Sequence, residues 1–157
     1  MMGAELIVSR RREARLRALG AWEPAGDVYA TMRWAYPAAF VAMALEGAAA
    51  GPEPGPTTIA GVVVVAAAKL LKVWAIAALG PRWTFRVLVL PAAPLVAHGP
   101  YAFVRHPNYI AVVGELLGMA LLVGARVTGP LATVLFSLLL RRRIGVENRA
   151  LRHPPCS

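Results

Sequence analysis

Apolar residues run in long blocks along this chain, and polar residues gather between the blocks. Four blocks stand out, at residues 28–48, 58–79, 108–125 and 127–140. Crossing a bilayer core takes about 20 mostly apolar residues per helix. The first two blocks meet that length and the third is adequate. The fourth is short and would need its flanking arginines to snorkel toward the headgroups. The pattern predicts an all-α integral membrane bundle of about four transmembrane helices over residues 28–157, preceded by a basic interfacial segment over 1–27. Within that segment "ELIVSRRREARLRALGA" reads as a helix ended by Gly20 and Pro24. Elsewhere the period changes. In "RWTFRVLVLP", Arg82, Thr84 and Arg86 alternate with Trp83, Phe85 and Val87, which predicts an extended segment along the interface. "PAAPLVAHGP" is too rich in proline to be regular, and "RRRIGVENRALR" reads as a helix leaving the membrane.

Composition supports the membrane class: 58% of the 157 residues are hydrophobic and the mean hydropathy is +0.57. The net charge of +9 raises the question of nucleic acid, and its distribution answers it. Arg10, Arg11, Arg12, Arg15 and Arg17 precede the first block, Arg82, Arg86 and Arg105 lie between the second and third, and Arg141, Arg142 and Arg143 follow the fourth. The loop "GAAAGPEPGPTT" has no basic residue. This alternation fits the positive-inside rule, with both termini and the central loop cytoplasmic. Anionic lipid headgroups are then the expected charge partners, and no nucleic acid is expected. The single cysteine, Cys156, excludes an internal disulfide framework and a Cys-rich metal site. His98, His106 and Glu115 match no familiar metal spacing, so no metal is expected.

Chemistry concentrates in "GPYAFVRHPNY", residues 99–109, which two prolines and a glycine keep irregular. Tyr101, His106 and Tyr109 offer aromatic faces with hydrogen-bonding tips, and Pro107 is suited to open a helix whose first turn holds Asn108. Such a segment can cradle a flat, polar heteroaromatic ligand, or it can be an aromatic belt at headgroup level. Further on, Arg143 and Glu147 are four apart and share a helix face. They read either as a surface ion pair or as a guanidinium and a carboxylate that contact a ligand. Inside the apolar blocks lie Lys69, Lys72 and Glu115. Ionisable groups at that depth are paired or functional, so a Lys–Glu pair and a role for Glu115 as base or substrate contact both stand.

"GPYAFVRHPNY" before one apolar block and "RRRIGVENRAL" after the next resemble the isoprenylcysteine carboxyl methyltransferases, over about residues 5–151. "ALGPRWTFRVLVLPAAPLV" is similar to a bacterial branch, some members of which O-methylate alkylresorcinols or alkylpyrones. The resemblance implies S-adenosylmethionine as cofactor, held on the cytoplasmic side by Ala93, Pro94, Leu95, Val96, Tyr101, His106, Pro107, Asn108, Tyr109 and Glu147. It implies Arg143 as the residue that orients the acceptor, with His106 or Glu115 available as base for a phenol. The distal motif often carries two adjacent acids, whereas Glu147 is followed here by Asn148. The expected activity is O-methylation of a carboxylate or phenolic oxygen on a lipophilic small molecule in a bacterial plasma membrane. The alternatives are a phospholipid N- or thiol S-methyltransferase of the same fold, or a membrane partner protein without turnover.

Overall fold

The computed structural model describes residues 2–51, 54–90, 94 and 96–152. Its regular elements are helical: α1 (Met2–Ala18), α2 (Tyr29–Ala50), α3 (Pro56–Leu79), α4 (Pro107–Val123) and α5 (Thr128–Arg152), with short 3-10 turns at Gly80–Arg82 and Gly99–Ala102. Proline and glycine set the boundaries. Pro56 and Pro107 open α3 and α4 at their first helical positions, where a missing N–H costs nothing. Gly51 and Gly124 close α2 and α4 in the left-handed conformation.

Helices α2 to α5 coincide with the four apolar blocks. By length and hydropathy, one helix among the described residues is long and apolar enough to cross a membrane, Pro56–Arg82, with a mean hydropathy of 2.2 and 11% of its most apolar window buried in the protein. Helix α4 is apolar but has 17 residues. Helix α2 carries Arg33 near its start and Glu46 near its end, and the apolar part of α5 stops at Arg141, from which the same helix continues unbroken to Arg152.

Helices α3 and α4 approach closely because small residues face each other. A methyl added at Gly61 would stand 2.4 Å from the Leu122 nitrogen, and one at Gly118 would stand 2.8 Å from the Val65 nitrogen. Met43 of α2, Leu116 of α4 and Phe136 and Leu140 of α5 form the buried core on the other side. The helices run alternately up and down, so the end of α2 meets the start of α5. There the Glu46 carboxylate accepts hydrogen bonds from the backbone N–H groups of Val127 (2.9 Å) and Thr128 (2.7 Å), satisfying donors that a helix N-terminus leaves open.

The opposite end is roofed. Residues 83–90, expected to be extended, form no strand: the chain bends at Phe85–Arg86, and among the described residues its β-type pairing is an isolated antiparallel bridge between Trp22 and Val89. They lie against protein: Trp83, Val87 and Val89 are buried, and Val87 and Val89 pack with Trp22 on Ala150 of α5. Helix α1 holds them from outside, where the Phe85 N–H donates to the buried Ser9 hydroxyl at 2.9 Å.

Candidate functional site

Beneath this roof lies a cavity of about 340 Å³. Residues 83–90 cover it, α2 and α3 wall one side, and α4 and α5 wall the other. The "GPYAFVRHPNY" stretch closes the ring. Gly99 adopts a φ of +61°, and a methyl there would stand 3.0 Å from the Ala78 Cβ and 3.3 Å from the Trp74 indole nitrogen, so glycine alone lets this turn sit against α3. His106 precedes a proline, which disfavours helical backbone, and its φ and ψ of −131° and 61° place it just outside α4.

Three chemically distinct groups meet at Tyr109. Its hydroxyl donates to a Glu147 carboxylate oxygen at 2.9 Å and accepts from the Arg143 Nε at 3.1 Å. Arg143 and Glu147, one turn apart on α5, are thus joined through a phenol from α4. His106 stacks on the Tyr109 ring, with centroids 5.4 Å apart and planes 20° apart, and its Nδ1 lies 3.8 Å from the same Glu147 oxygen. Burial pushes the Tyr101 phenol up to about 12, and the nearby negative charge of Glu147 adds to the rise, so this tyrosine stays neutral and able to donate. Asn108 also lines the cavity. Its side-chain oxygen is buried and has no hydrogen-bond partner among the described residues.

Arg143 is 7% exposed and its charge is met from several directions. One terminal nitrogen donates to the Phe85 carbonyl oxygen, the other lies 3.8 Å from the Met32 sulfur, and the guanidinium sits 6.0 Å from the Tyr29 ring centre. Asp27 stands 4.0 Å from Nε, and both side chains are nearly removed from water. Asp27 in turn accepts from the backbone N–H groups of Tyr29 and Val87, tying the start of α2 to the roof.

Of the residues predicted from sequence, Pro94, Val96, Tyr101, His106, Asn108, Tyr109, Arg143 and Glu147 all line this one cavity. Pro107 is fully buried behind it as the first residue of α4. Ala93 and Leu95 lie outside the described residues. Glu115 is 1% exposed and is not part of the lining. It takes an ion pair from Lys69 at 2.9 Å and a looser one from Lys72 at 3.6 Å, and it accepts a hydrogen bond from the Tyr36 hydroxyl. Sequence reasoning missed Asp27, Tyr29, Met32 and Tyr36. They sit on the first turns of α2 or just before it, in no motif, and join the site only through tertiary contact. A second groove, of about 640 Å³, runs between α4 and α5 along Ile110, Val113, Leu117 and Ile144 and shares His106, Tyr109 and Leu140 with the cavity.

This arrangement can be set beside known proteins. The family model for isoprenylcysteine carboxyl methyltransferases matches residues 60–153, the stretch that holds most of α3, the cavity motif that follows it, α4 and α5. The chain belongs to the isoprenylcysteine carboxyl methyltransferase family. This is a membrane-associated family of methyltransferases that use S-adenosylmethionine as methyl donor. Within the isoprenylcysteine carboxyl methyltransferase match lie Tyr101 of the cavity lining and His106, Tyr109, Arg143 and Glu147, the four that meet at the Tyr109 hydroxyl and ring. A Bacillus subtilis (strain 168) protein described as uncharacterized protein YpbQ is 31% identical over 149 residues, 95% of this chain and 89% of that relative. An uncharacterized protein of Haemophilus influenzae is 27% identical over 149 residues, 94% of this chain and 87% of its own length. No solved structure matches.

Proposed function

We propose that this protein is an integral membrane O-methyltransferase that uses S-adenosylmethionine to methylate a carboxylate or phenolic oxygen of a lipophilic acceptor in a bacterial plasma membrane. The observation that carries the reading is the Tyr109 hydroxyl joining Glu147 to Arg143 inside a cavity of small-molecule size. The residues present fit the donor. Glu147 accepts hydrogen bonds from ribose hydroxyls, the stacked His106 and Tyr109 rings offer faces to a flat base, and the unpartnered Asn108 oxygen accepts from an amino group. Pro94, Val96 and Tyr101 complete that end of the cavity.

What S-adenosylmethionine supplies when bound is a methyl group on a sulfonium, transferable in line to an oxygen nucleophile. The protein therefore has to align the partners and exclude water, and little else. The roof of residues 83–90 keeps water out from above, while the groove between α4 and α5 admits an alkyl chain from the lipid side. Arg143, fixed by Tyr109 and Asp27, supplies a cation at the wall that favours an ionised acceptor oxygen. A phenolic acceptor needs a base. His106 lines the cavity and serves that role, whereas the Glu115 carboxylate lies outside the lining and is engaged by Lys69 and Lys72. The closest acceptor class is a small alkyl phenol, enol or acid of the alkylresorcinol and alkylpyrone kind.

Calorimetry in detergent tests the assignment. S-adenosylmethionine should bind the wild-type protein, and Glu147→Ala should abolish that binding, while Arg143→Ala should chiefly weaken use of the acceptor. Cofactor affinity unchanged by Glu147→Ala would remove Glu147 from the donor site.

A further inference from the structure

Cations outnumber carboxylates on the cavity wall. Arg33, Lys72, Arg82, Arg86, Arg105 and Arg143 line it, and Glu147 is the carboxylate among the described lining residues. Most of these cations are accounted for. Arg33, Arg82 and Arg105 are exposed at the aqueous end. Arg86 is paired with Glu23 at 2.8 Å and Glu13 at 3.7 Å, and Arg143 faces the buried Asp27.

Lys72 is different. It projects from α3 about two turns, or about 10 Å, inward from the end of that helix. Around it the lining is apolar: Pro37, Val112, Phe136 and Leu140. The Lys72 side chain is 12% exposed, and its ammonium stands 5.8 Å from the centre of the Tyr36 ring. Its acidic partner is shared. Glu115 lies closer to Lys69 than to Lys72, and the Tyr36 hydroxyl also donates to it. Two lysines and one carboxylate leave one positive charge over. Lys69 is 47% exposed and is not among the lining residues, so the charge facing the cavity is that of Lys72. An ammonium held in apolar surroundings with half a partner is costly, and an anionic group delivered into the cavity offsets that cost.

We propose that Lys72 is a second cation, besides Arg143, that recognises the methyl acceptor, and that the acceptor is an amphiphilic acid bound as its anion with its charged head reaching Lys72 and its alkyl chain along the α4–α5 groove. The proposal rests on the methyltransferase reading above and narrows it, since an amine acceptor would meet repulsion from Lys72. It also gives release a direction. An ester or ether made from that oxygen carries no charge, so Lys72 holds the acceptor more firmly than the product.

The test uses the full chain in phosphatidylcholine nanodiscs with dodecanoate, dodecanol and dodecylamine as probes, read by calorimetry. Wild-type protein should bind dodecanoate roughly tenfold or more tightly than dodecanol, the size of effect a charged hydrogen bond gives. Lys72→Met should cut that preference severalfold, Lys72→Arg should keep most of it, and S-adenosylmethionine affinity should stay within about twofold of wild type in both because none of the residues assigned to the donor is Lys72. A wild-type protein that binds dodecanol or dodecylamine as tightly as dodecanoate overturns the proposal without any variant being made. A preference for dodecanoate that survives undiminished in Lys72→Met overturns it as well. Loss of S-adenosylmethionine binding by the wild type would instead strike the methyltransferase reading and leave the comparison of acid with alcohol standing.

Discussion

Arg143 is a cation with partners on three sides, and this changes what its removal means. Truncating it to alanine takes a guanidinium from the cavity wall, but it also leaves Asp27 buried without a counter-charge. Breaking a buried pair from one side costs about 3–5 kcal/mol, most of it the cost of the stranded charge. Arg143→Ala is therefore expected to lower stability as well as acceptor use, and Asp27→Ala to lower stability by a comparable amount. The double variant should lose clearly less than the sum of the two, as chemical unfolding in detergent would measure, because neither charge is then stranded. If Arg143 also acts on the acceptor, the double variant recovers stability without recovering turnover. Strictly additive stability losses would show that the two side chains do not sense each other. Tyr109 is the residue whose place in the cavity was most legible in the sequence, because the R-H-P-x-Y spacing marks it. Its hydrogen bonds to both Arg143 and Glu147 were not legible, since nothing in a one-turn helical spacing says that a phenol from another helix will stand between two charges.

At the level of elements, the helices could be read as apolar blocks and Pro107 as the residue that opens α4, while Pro56, Gly80 and Gly124 as the other ends of α3 and α4 emerge from the fold. The roof could be read as non-helical but not as a roof. Alternation along residues 82–87 gives the period, and only the tertiary fold reveals that Ser9, Trp22, Glu23 and Asp27 are what it lies against. Ion pairs hold part of that contact. Burial alone would raise the Glu23 carboxyl, yet hydrogen bonds from Arg86 and Arg17 outweigh it and hold Glu23 below its usual value of 4.5. The pairing with Glu23, against the opposing pull of desolvation, likewise raises Arg86. A carboxyl whose pKa is depressed on folding contributes stability that is fully present above its unfolded value and lost as pH falls through the folded one. Hydrogen exchange of residues 83–90 should accordingly quicken as pH is lowered below about 4.5, after correction for intrinsic exchange. In Glu23→Gln the same amides should be less protected at neutral pH and should show a flatter pH response. A Glu23→Gln profile that overlays the wild type would locate the acid sensitivity elsewhere.

Across the whole molecule, the up-and-down run of α2 to α5 sends every cavity residue to one end. Asp27 and Tyr29 begin α2, Lys72 lies near the end of α3, His106 and Tyr109 begin α4, and Arg143 and Glu147 lie in the last turns of α5. The arginines of α1, of the central loop and of the end of α5 gather at that same end. The opposite end holds Gly51, Gly55 and the junction around residues 124–127, where Arg126 is the one basic residue in the sequence. By the positive-inside rule, lysine and arginine bias of this kind predicts that the cavity faces the cytoplasm, the orientation that the proposed function requires. A water-soluble donor such as S-adenosylmethionine is made and kept in the cytoplasm, so orientation and chemistry constrain each other. Cysteine labelling checks both together, because Cys156 is the only cysteine in the chain. On intact cells a membrane-impermeant maleimide should fail to label Cys156 and should label it after permeabilisation. In a Cys156→Ser background, Pro54→Cys should be labelled without permeabilisation. The reverse pattern would turn the cavity away from its methyl donor, and a methyltransferase facing outward would have nothing to transfer.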